Sequence, residues 1–308
     1  MKPKILVIYY SQTGQLRGIL DSITSEISDK VEIDYCLVEP VTPFPFPWSA
    51  LQFFDAMPET VAHLPAPVKP IKQVGQDKDY DLIIFGYQPW FLNPSQPTTA
   101  FLQSGMAAIF KDKPVITVVG SRNMWLHAQE KVKEYLYGMN ARLVGNIVLM
   151  DSNPNLVSLL TVIRWSFKGQ KEASGWLPAA GVQDKDIKAA SRFGAVIYSH
   201  LTNKSLDTLH ADLMLAGAVD LKPALVLLEQ SGIKKFRFWS KFIREKGGPG
   251  NLNRAGRVMM FKNLLLVGIF VLSPISSFTA MIKRTINRGR LAKDVAYFRQ
   301  LQYEKGRI

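Results

Sequence analysis

Apolar residues in the first two hundred positions fall in short, nearly unbroken runs. Residues 4–10, 31–38, 82–87, 115–120 and 143–150 are each rich in Val, Ile and Leu. A run with no polar alternation fits a strand covered on both faces, as in a parallel sheet. Between these runs, apolar positions recur every three or four residues. Leu16, Ile19, Leu20, Ile23 and Ile27 mark a helix over 16–28. Similar stretches occur at 98–108 and 125–137, and Ile187, Ala190, Phe193, Ile197 and Leu201 stripe a helix over 186–201. Strands alternating with helices predict an α/β domain: an open, doubly wound, five-stranded parallel sheet.

Two segments interrupt the alternation. Residues 39–79 hold eight prolines together with Phe44, Phe46, Trp48, Phe53 and Phe54, which leaves room only for a short helix over 49–57. Residues 152–184 include a candidate helix face of Leu156, Leu159, Leu160, Ile163 and Phe167. Past about 204 the pattern turns helical, with 206–228 reading as helix, open to a break before Pro223. Bases alternate with aromatics over 234–244, and an uncharged stretch spans 264–282 with Pro274 in its middle. The organisation expected is a sheet domain over 1–203, with insertions at 39–79 and 152–184, and a mostly helical extension over 204–308.

Charge separates the same two parts. Residues 1–222 carry 21 Lys+Arg and 21 Asp+Glu; residues 223–308 carry 17 Lys+Arg and 4 Asp+Glu, so the whole net charge of +13 lies in the last 86 residues. A neutral body with a basic tail calls for an anionic surface, either lipid or nucleic acid. The 264–282 stretch approaches the roughly 20 residues that span a bilayer, yet Ser273, Pro274, Ser276, Ser277 and Thr279 fit a pair of short interfacial helices, 261–272 and 275–282, better. The expected partner is an anionic membrane surface met through 234–244 and 262–293. Burial of the apolar run in the protein or in a homodimer is the alternative, and nucleic acid the least favoured. The single cysteine, Cys36, excludes an internal disulfide, lies in a strand run and suits a reducing compartment. The apolar run after Lys4 is too short for the core of a secretion signal. The location expected is therefore the cytoplasm, peripheral or monotopic at the inner face of its membrane.

Candidate chemistry gathers where three loops leave the strands. Ser11, Gln12, Thr13, Gly14 and Gln15 join the first strand to the first helix. A tight hydroxyl-bearing turn at a helix N-terminus points N–H groups and the helix dipole at an anion such as a phosphate; an ordinary turn with a Ser or Thr cap is the other reading. Gln88, Pro89, Trp90, Phe91, Leu92, Asn93 and Pro94 follow the third strand, and Ser121, Arg122 and Asn123 follow the fourth. In a doubly wound sheet these loops meet in the crevice beyond the strand ends.

In that order the three loops resemble the FMN-contacting loops of flavodoxin-like proteins, over roughly residues 3–203. Gly-x-Gly-x-x-Gly is absent, which favours FMN over a Rossmann-bound nicotinamide nucleotide. The resemblance implies that Ser11, Gln12, Thr13, Gly14 and Gln15 hold the FMN phosphate. It implies that Pro89, Trp90, Phe91 and Asn93 edge the isoalloxazine and that Ser121, Arg122 and Asn123 line its other side. For Trp90 plain core packing stays open. Leu16 stands where many flavodoxins place a second Thr, which removes a hydroxyl donor. Tyr10, Tyr87, Arg122 and His127 are catalytic candidates by position alone, His127 reading more simply as a surface residue of its helix.

The opening Ile8-Tyr9-Tyr10-Ser11-Gln12-Thr13-Gly14-Gln15-Leu16, the length and the basic, apolar tail resemble more closely a longer subgroup. It comprises the flavodoxin-like proteins of dialkylresorcinol and flexirubin-type pigment clusters, often labelled condensing enzymes. This resemblance implies an FMN-dependent oxidoreductase that aromatises an alkylated cyclohexanedione to a dialkylresorcinol. A ketosynthase-like protein and an acyl carrier would be its partners. The substrate would be a lipophilic small molecule entering between the 156–167 helix and the aromatics of 44–54. A condensation would need a nucleophilic Cys with polar partners, and mid-strand Cys36 has no histidine near it in sequence. An NAD(P)H-quinone-type reductase, an electron-transfer flavodoxin and a flavin-free partner of a condensing enzyme are the competing functions.

Overall fold

A computed structural model describes residues 2–71, 79–270 and 288–307. Five parallel strands form one sheet: β1 (Lys4–Tyr9), β2 (Glu32–Leu37), β3 (Leu82–Tyr87), β6 (Pro114–Ser121) and β7 (Arg142–Met150), in the order β2-β1-β3-β6-β7. Two short antiparallel strands, β4 (Pro89–Trp90) and β5 (Asn93–Pro94), form a hairpin after β3. Reading only the large strands, this is the order 2-1-3-4-5 of flavodoxin-like doubly wound folds, with the switch point between β1 and β3. Ile5 pairs with Ile33 on one side and Leu82 on the other, and Ile83 pairs with Val115. The unbroken apolar runs are explained by burial on both faces: Ile5, Val7, Ile8, Ile83, Ile84, Val115 and Val118 are all inaccessible.

Helices cover the two faces: α1 (Gln15–Ser25), α4 (Gln96–Gln103), α5 (Leu126–Gly138), α7 (Asp184–Ala189) and α8 (Arg192–Thr202). The insertions supply α2 (Ala50–Asp55), α3 (Met57–Val61) and α6 (Asn155–Lys168). Three predicted helices are subdivided. The 98–108 helix starts at Gln96, stops where Ser104 turns extended (ψ 161°) and continues as a 3-10 turn, Gly105–Phe110. The 186–201 helix is two, α7 and α8. The 206–228 helix breaks at Gly217 (φ +79°), because the next residue joins the sheet: the carbonyl of Ala218 accepts the N–H of Val148 at 2.8 Å.

The extension shares the core of the sheet. Its helix α9 (Leu209–Leu215) packs on β7, and Leu209, Leu213, Val226, Leu291, Tyr297 and Phe298 are buried in the same cluster as the strands. Helix α10 (Pro223–Arg244) crosses α3 and α5, and α11 (Leu252–Phe270) packs on α2; a last described helix is Arg288–Phe298. Two buried polar contacts fix these elements. The Glu229 carboxylate, inaccessible to solvent, accepts the backbone N–H groups of Trp125 (2.7 Å), Leu126 (3.0 Å) and His127 (3.0 Å), capping α5 from another element. Arg254, also inaccessible, reaches Asp55 at 2.6 Å and the two oxygens of Glu59 at 2.8 and 3.0 Å. The extension and the Pro-rich insertion are thereby clamped together.

The 234–244 segment is part of α10, and its aromatics divide between two faces. Phe236 and Trp239 turn inward onto Phe261, each at 5.6 Å between ring centroids, while Phe238 remains 63% exposed. Helix α11 runs through the start of the predicted 264–282 stretch; residues 271–282 lie outside the described residues, as do Lys283 and Arg284. Among the described residues no helix is long and apolar enough to cross a membrane.

Candidate functional site

Residues of all three loops line one crevice, with a cavity of about 230 Å³, although Ser11, Gly14, Asn93 and Asn123 are not in its lining. The first loop brings Gln12, Thr13 and Gln15, the second Gln88, Pro89, Trp90 and Phe91, and the third Ser121 and Arg122. The insertions close it over. Phe46, Trp48 and Phe53 come from the Pro-rich segment, and Val162, Trp165 and Ser166 from α6. The two insertions are tied across this roof: the N–H of Trp48 donates to the Ser166 carbonyl at 2.8 Å, Phe46 meets Trp165 edge-on at 6.1 Å, and Phe53 meets Phe167 at 5.5 Å.

The first loop is a tight turn that opens α1. Gly14 occupies the cap position of α1 in the left-handed region (φ +80°), and no side chain caps the helix, so the Ser or Thr cap is not what this turn builds. The first-turn N–H groups of α1 accordingly take no side-chain acceptor. Ser11 Oγ and, across the crevice, Ser121 Oγ are buried and have no hydrogen-bond partner among the described residues. Buried hydroxyls in folded proteins are almost always partnered. Two of the five loop residues direct their side chains elsewhere. Gln12 donates to the carbonyls of Phe44 (3.1 Å) and Pro45 (3.2 Å) and accepts from Tyr10. Gln15 makes a two-way bond with the backbone of Val182, both at 3.0 Å. Gly181 beside it has no space for a side chain: a Cβ would lie 2.6 Å from Gln15 Oε1 and 2.8 Å from Trp165 Cζ3.

The second loop carries backbone strain. Trp90 pairs with Asn93, and the two residues between them, Phe91 (φ +46°) and Leu92 (φ +67°), both sit in the left-handed region. Positive φ at both central positions is the type I′ pattern of a two-residue hairpin turn, which usually takes Asn or Gly there. Each non-glycine residue so held costs on the order of 1–3 kcal/mol and persists where surroundings over-determine it. Here Asn93 Nδ2 donates to the Phe91 carbonyl at 2.7 Å, and the Phe91 ring packs on Phe53 at 5.1 Å. The result presents Trp90 and Phe91 to the cavity. Trp90 is half-buried against Phe44 (5.0 Å), Trp48 (5.7 Å) and Tyr10 (5.9 Å). Asn93, as the hairpin partner, is fully buried and does not edge the cavity.

The third loop places one cation in the wall. Arg122 donates to the carbonyl (3.2 Å) and Oδ1 (2.9 Å) of Asn155, and Asn123 donates to the same Oδ1 at 2.8 Å, so the start of α6 positions both. Burial pushes the Arg122 guanidinium down to about 10, with Asp151 opposing, and it stays charged at neutral pH. Among the described lining residues there is no carboxylate, histidine, cysteine or lysine.

Of the four catalytic candidates, only Arg122 lines this cavity. Tyr10 stands behind Trp90. Tyr87 is inaccessible and donates to Gln129 Oε1 at 2.6 Å. His127 is buried and not on the surface, because Glu229 and α10 cover the start of α5. Neither of its ring nitrogens has a partner among the described residues, and burial beside Arg237 pushes it down to about 3. Cys36 is buried in β2, its thiol pushed up to about 11, and no metal-holding cluster occurs among the described residues. A second cavity, of about 690 Å³, is lined by Phe44 and Trp48, and Trp48 lines the crevice as well. Asn155, Gly181 and Glu229 were not evident as site-building residues, since each acts through contacts distant in sequence.

No family model matches the sequence, and no curated protein matches it. Solved structures similar to it are flavoproteins. One is a flavoprotein from Lactobacillus acidophilus in complex with FMN: 18% identity, 47% of this chain and 93% of that one, TM-score 0.38. Another is a flavodoxin from the domain Archaea: 14% identity, 65% of this chain and 99% of that one, TM-score 0.36. A third is a flavodoxin, WrbA-like protein from Agrobacterium tumefaciens: 13% identity, 66% and 99%, TM-score 0.32. The fold assignment rests on the strand order itself.

Proposed function

We propose that this chain is an FMN-dependent oxidoreductase acting on a lipophilic ring, and specifically that it oxidises an alkylated cyclohexanedione to a dialkylresorcinol. The observation that carries the reading is the makeup of the crevice: aromatic walls, an uncapped helix N-terminus at one end and, among the described lining residues, no carboxylate, histidine, cysteine or lysine, with Arg122 as the charged group. Such a wall suits a bound cofactor that brings the reactivity. The residues present fit FMN. The N–H groups at the start of α1 with the hydroxyls of Ser11 and Thr13 would hold the phosphate, and Pro89, Trp90 and Phe91 would flank the ring. When bound, FMN supplies a two-electron acceptor for hydride.

The chain's own part is orientation and exclusion of water. The Phe46, Trp48, Phe53 and Trp165 roof would bury an apolar ring. Arg122, fixed by Asn155, would favour the enolate oxygen of a dione as its ring proton leaves to solvent. The alkyl substituents would extend past Phe44 and Trp48 toward the second cavity. The same roof weighs against an electron carrier, which must offer its flavin edge to a protein partner. Cys36, buried in β2, weighs against condensation by this chain. The test is anaerobic mixing of the FMN-loaded protein with a long-chain alkyl cyclohexane-1,3-dione. Loss of the oxidised flavin absorbance with formation of the resorcinol is expected. Reduction by NAD(P)H and reoxidation by a quinone, with no reaction with the dione, would instead establish the quinone-reductase reading.

A further inference from the structure

Helices α10 and α11 bury one side of themselves and leave another of unusual character. On α10, Ile233, Ser240 and Ile243 face inward, while Lys234, Lys235, Phe238 and Lys241 are exposed. On α11, Arg254, Val258 and Phe261 are buried, while Met260, Leu264, Val267 and Phe270 recur on the opposite side at helical spacing. Leu264 is 53% and Val267 51% exposed. The two faces adjoin. Phe238 stacks on Phe242 (5.7–6.1 Å contacts with Trp239 and Phe242), and the Arg257 guanidinium of α11 lies 3.8 Å from the Phe242 ring centroid, one turn before Met260. A helix with apolar residues on two opposite sides needs a second apolar environment.

Charge identifies that environment. The four acidic residues of 223–308 are all engaged: Glu229 on the α5 amides, Glu245 on Arg257 (3.0 Å), and Asp294 and Glu304 on Arg307 (3.5 and 3.6 Å). Among the described residues no carboxylate pairs with Lys234, Lys235 or Lys241. We infer that the exposed face of α10 and α11 is a docking surface for an anionic lipid bilayer. The face sits flat on it, with Phe238, Leu264 and Val267 entering the acyl boundary and the lysines meeting headgroups. A second copy of the chain would bring the same positive charge against itself, and a nucleic acid offers nothing to an aliphatic stripe.

The test is co-sedimentation of the full-length protein with vesicles of phosphatidylcholine alone or mixed with phosphatidylglycerol, at low and high salt. Binding is expected only to the anionic vesicles, weakened by salt. Lys234→Glu, Lys235→Glu and Lys241→Glu together should weaken it by about fivefold or more per residue, and Phe238→Ser with Leu264→Ser and Val267→Ser should remove what survives high salt. These exposed positions leave the melting temperature unchanged, so loss of folding is read separately. The readout is independent of flavin and would stand if the flavin reading failed. Equal binding by parent and variants, or no binding to either vesicle, would overturn the proposal. So would a concentration-dependent dimer dissolved by Phe238→Ser and Leu264→Ser, or oligonucleotide binding in place of vesicle binding.

Discussion

At the scale of single residues, the crevice depends on backbone conformations as much as on side chains. Gly14 holds φ +80° where α1 opens, a conformation that costs an L-residue roughly 1–2 kcal/mol. No atom stands within 4 Å of where a Cβ would be, so alanine fits sterically and acts through the turn alone. Gly14→Ala is expected to weaken FMN binding about tenfold, since about 1.4 kcal/mol corresponds to that factor; an unchanged affinity in a fluorescence titration would mean the turn does not hold the phosphate. The Leu16 side chain is not among the groups proposed to hold the phosphate. Its side chain is buried against the sheet, and a Cβ on Gly120 would lie 3.4 Å from its Cδ1. Its apolar character is thus explained by packing, although it also lines the crevice floor. Phe91 and Leu92 were not legible as left-handed residues, because a two-residue hairpin is signalled by Asn or Gly and here is imposed by its neighbours.

At the scale of elements, the five strands were legible because a doubly covered strand writes its burial as an unbroken apolar run. Their boundaries agree with the runs to within about one residue. Polar contacts between distant elements left no such mark. Lys133 and Glu130 look like a solvated helix face, yet both are buried as a 2.8 Å ion pair under the chain end, where Tyr297 donates to Glu130 at 2.7 Å and Lys133 donates to the Gln300 carbonyl. Glu229 in α10 is similar, and it has a pH signature. Burial pushes its carboxyl up from 4.5 to about 7, against its three N–H bonds. Between those values the folded chain keeps a proton the unfolded chain has lost, so its contribution to stability falls as pH rises through that window. His63 and His127 are pushed down from 6.5 to about 4 and about 3 by burial. There the unfolded chain takes up protons first, and their contribution falls as pH drops below about 6.5. Between about pH 4.5 and 6.5 the carboxyl therefore offsets one of the two histidines. Glu229→Gln should steepen the rise of unfolding free energy with pH there by roughly 1.4 kcal/mol per pH unit. Denaturant melts at several pH values measure this, and parallel slopes for parent and variant would contradict it.

At the scale of the whole molecule, the change of composition near residue 204 is real, but it marks a change of role and not the edge of a core. Residues 209–226 and 291–298 complete the cluster around the sheet, and the Arg254 clamp couples α11 to the insertion that roofs the crevice. Breaking a buried ion pair by removing one partner costs about 3–5 kcal/mol, so site and extension are energetically one unit. The sequence marked the basic tail by charge. It could not mark which tail residues turn inward, since that depends on where α2, α3 and α5 lie.

The proposed oxidation requires that the crevice bind FMN. The most direct measurement is titration of FMN with the purified full-length protein, following flavin fluorescence and the visible spectrum. One FMN bound per chain, with a perturbed flavin spectrum that is altered in Trp90→Ala, is the predicted result. A folded protein that carries no flavin and takes up none when FMN is added would contradict it.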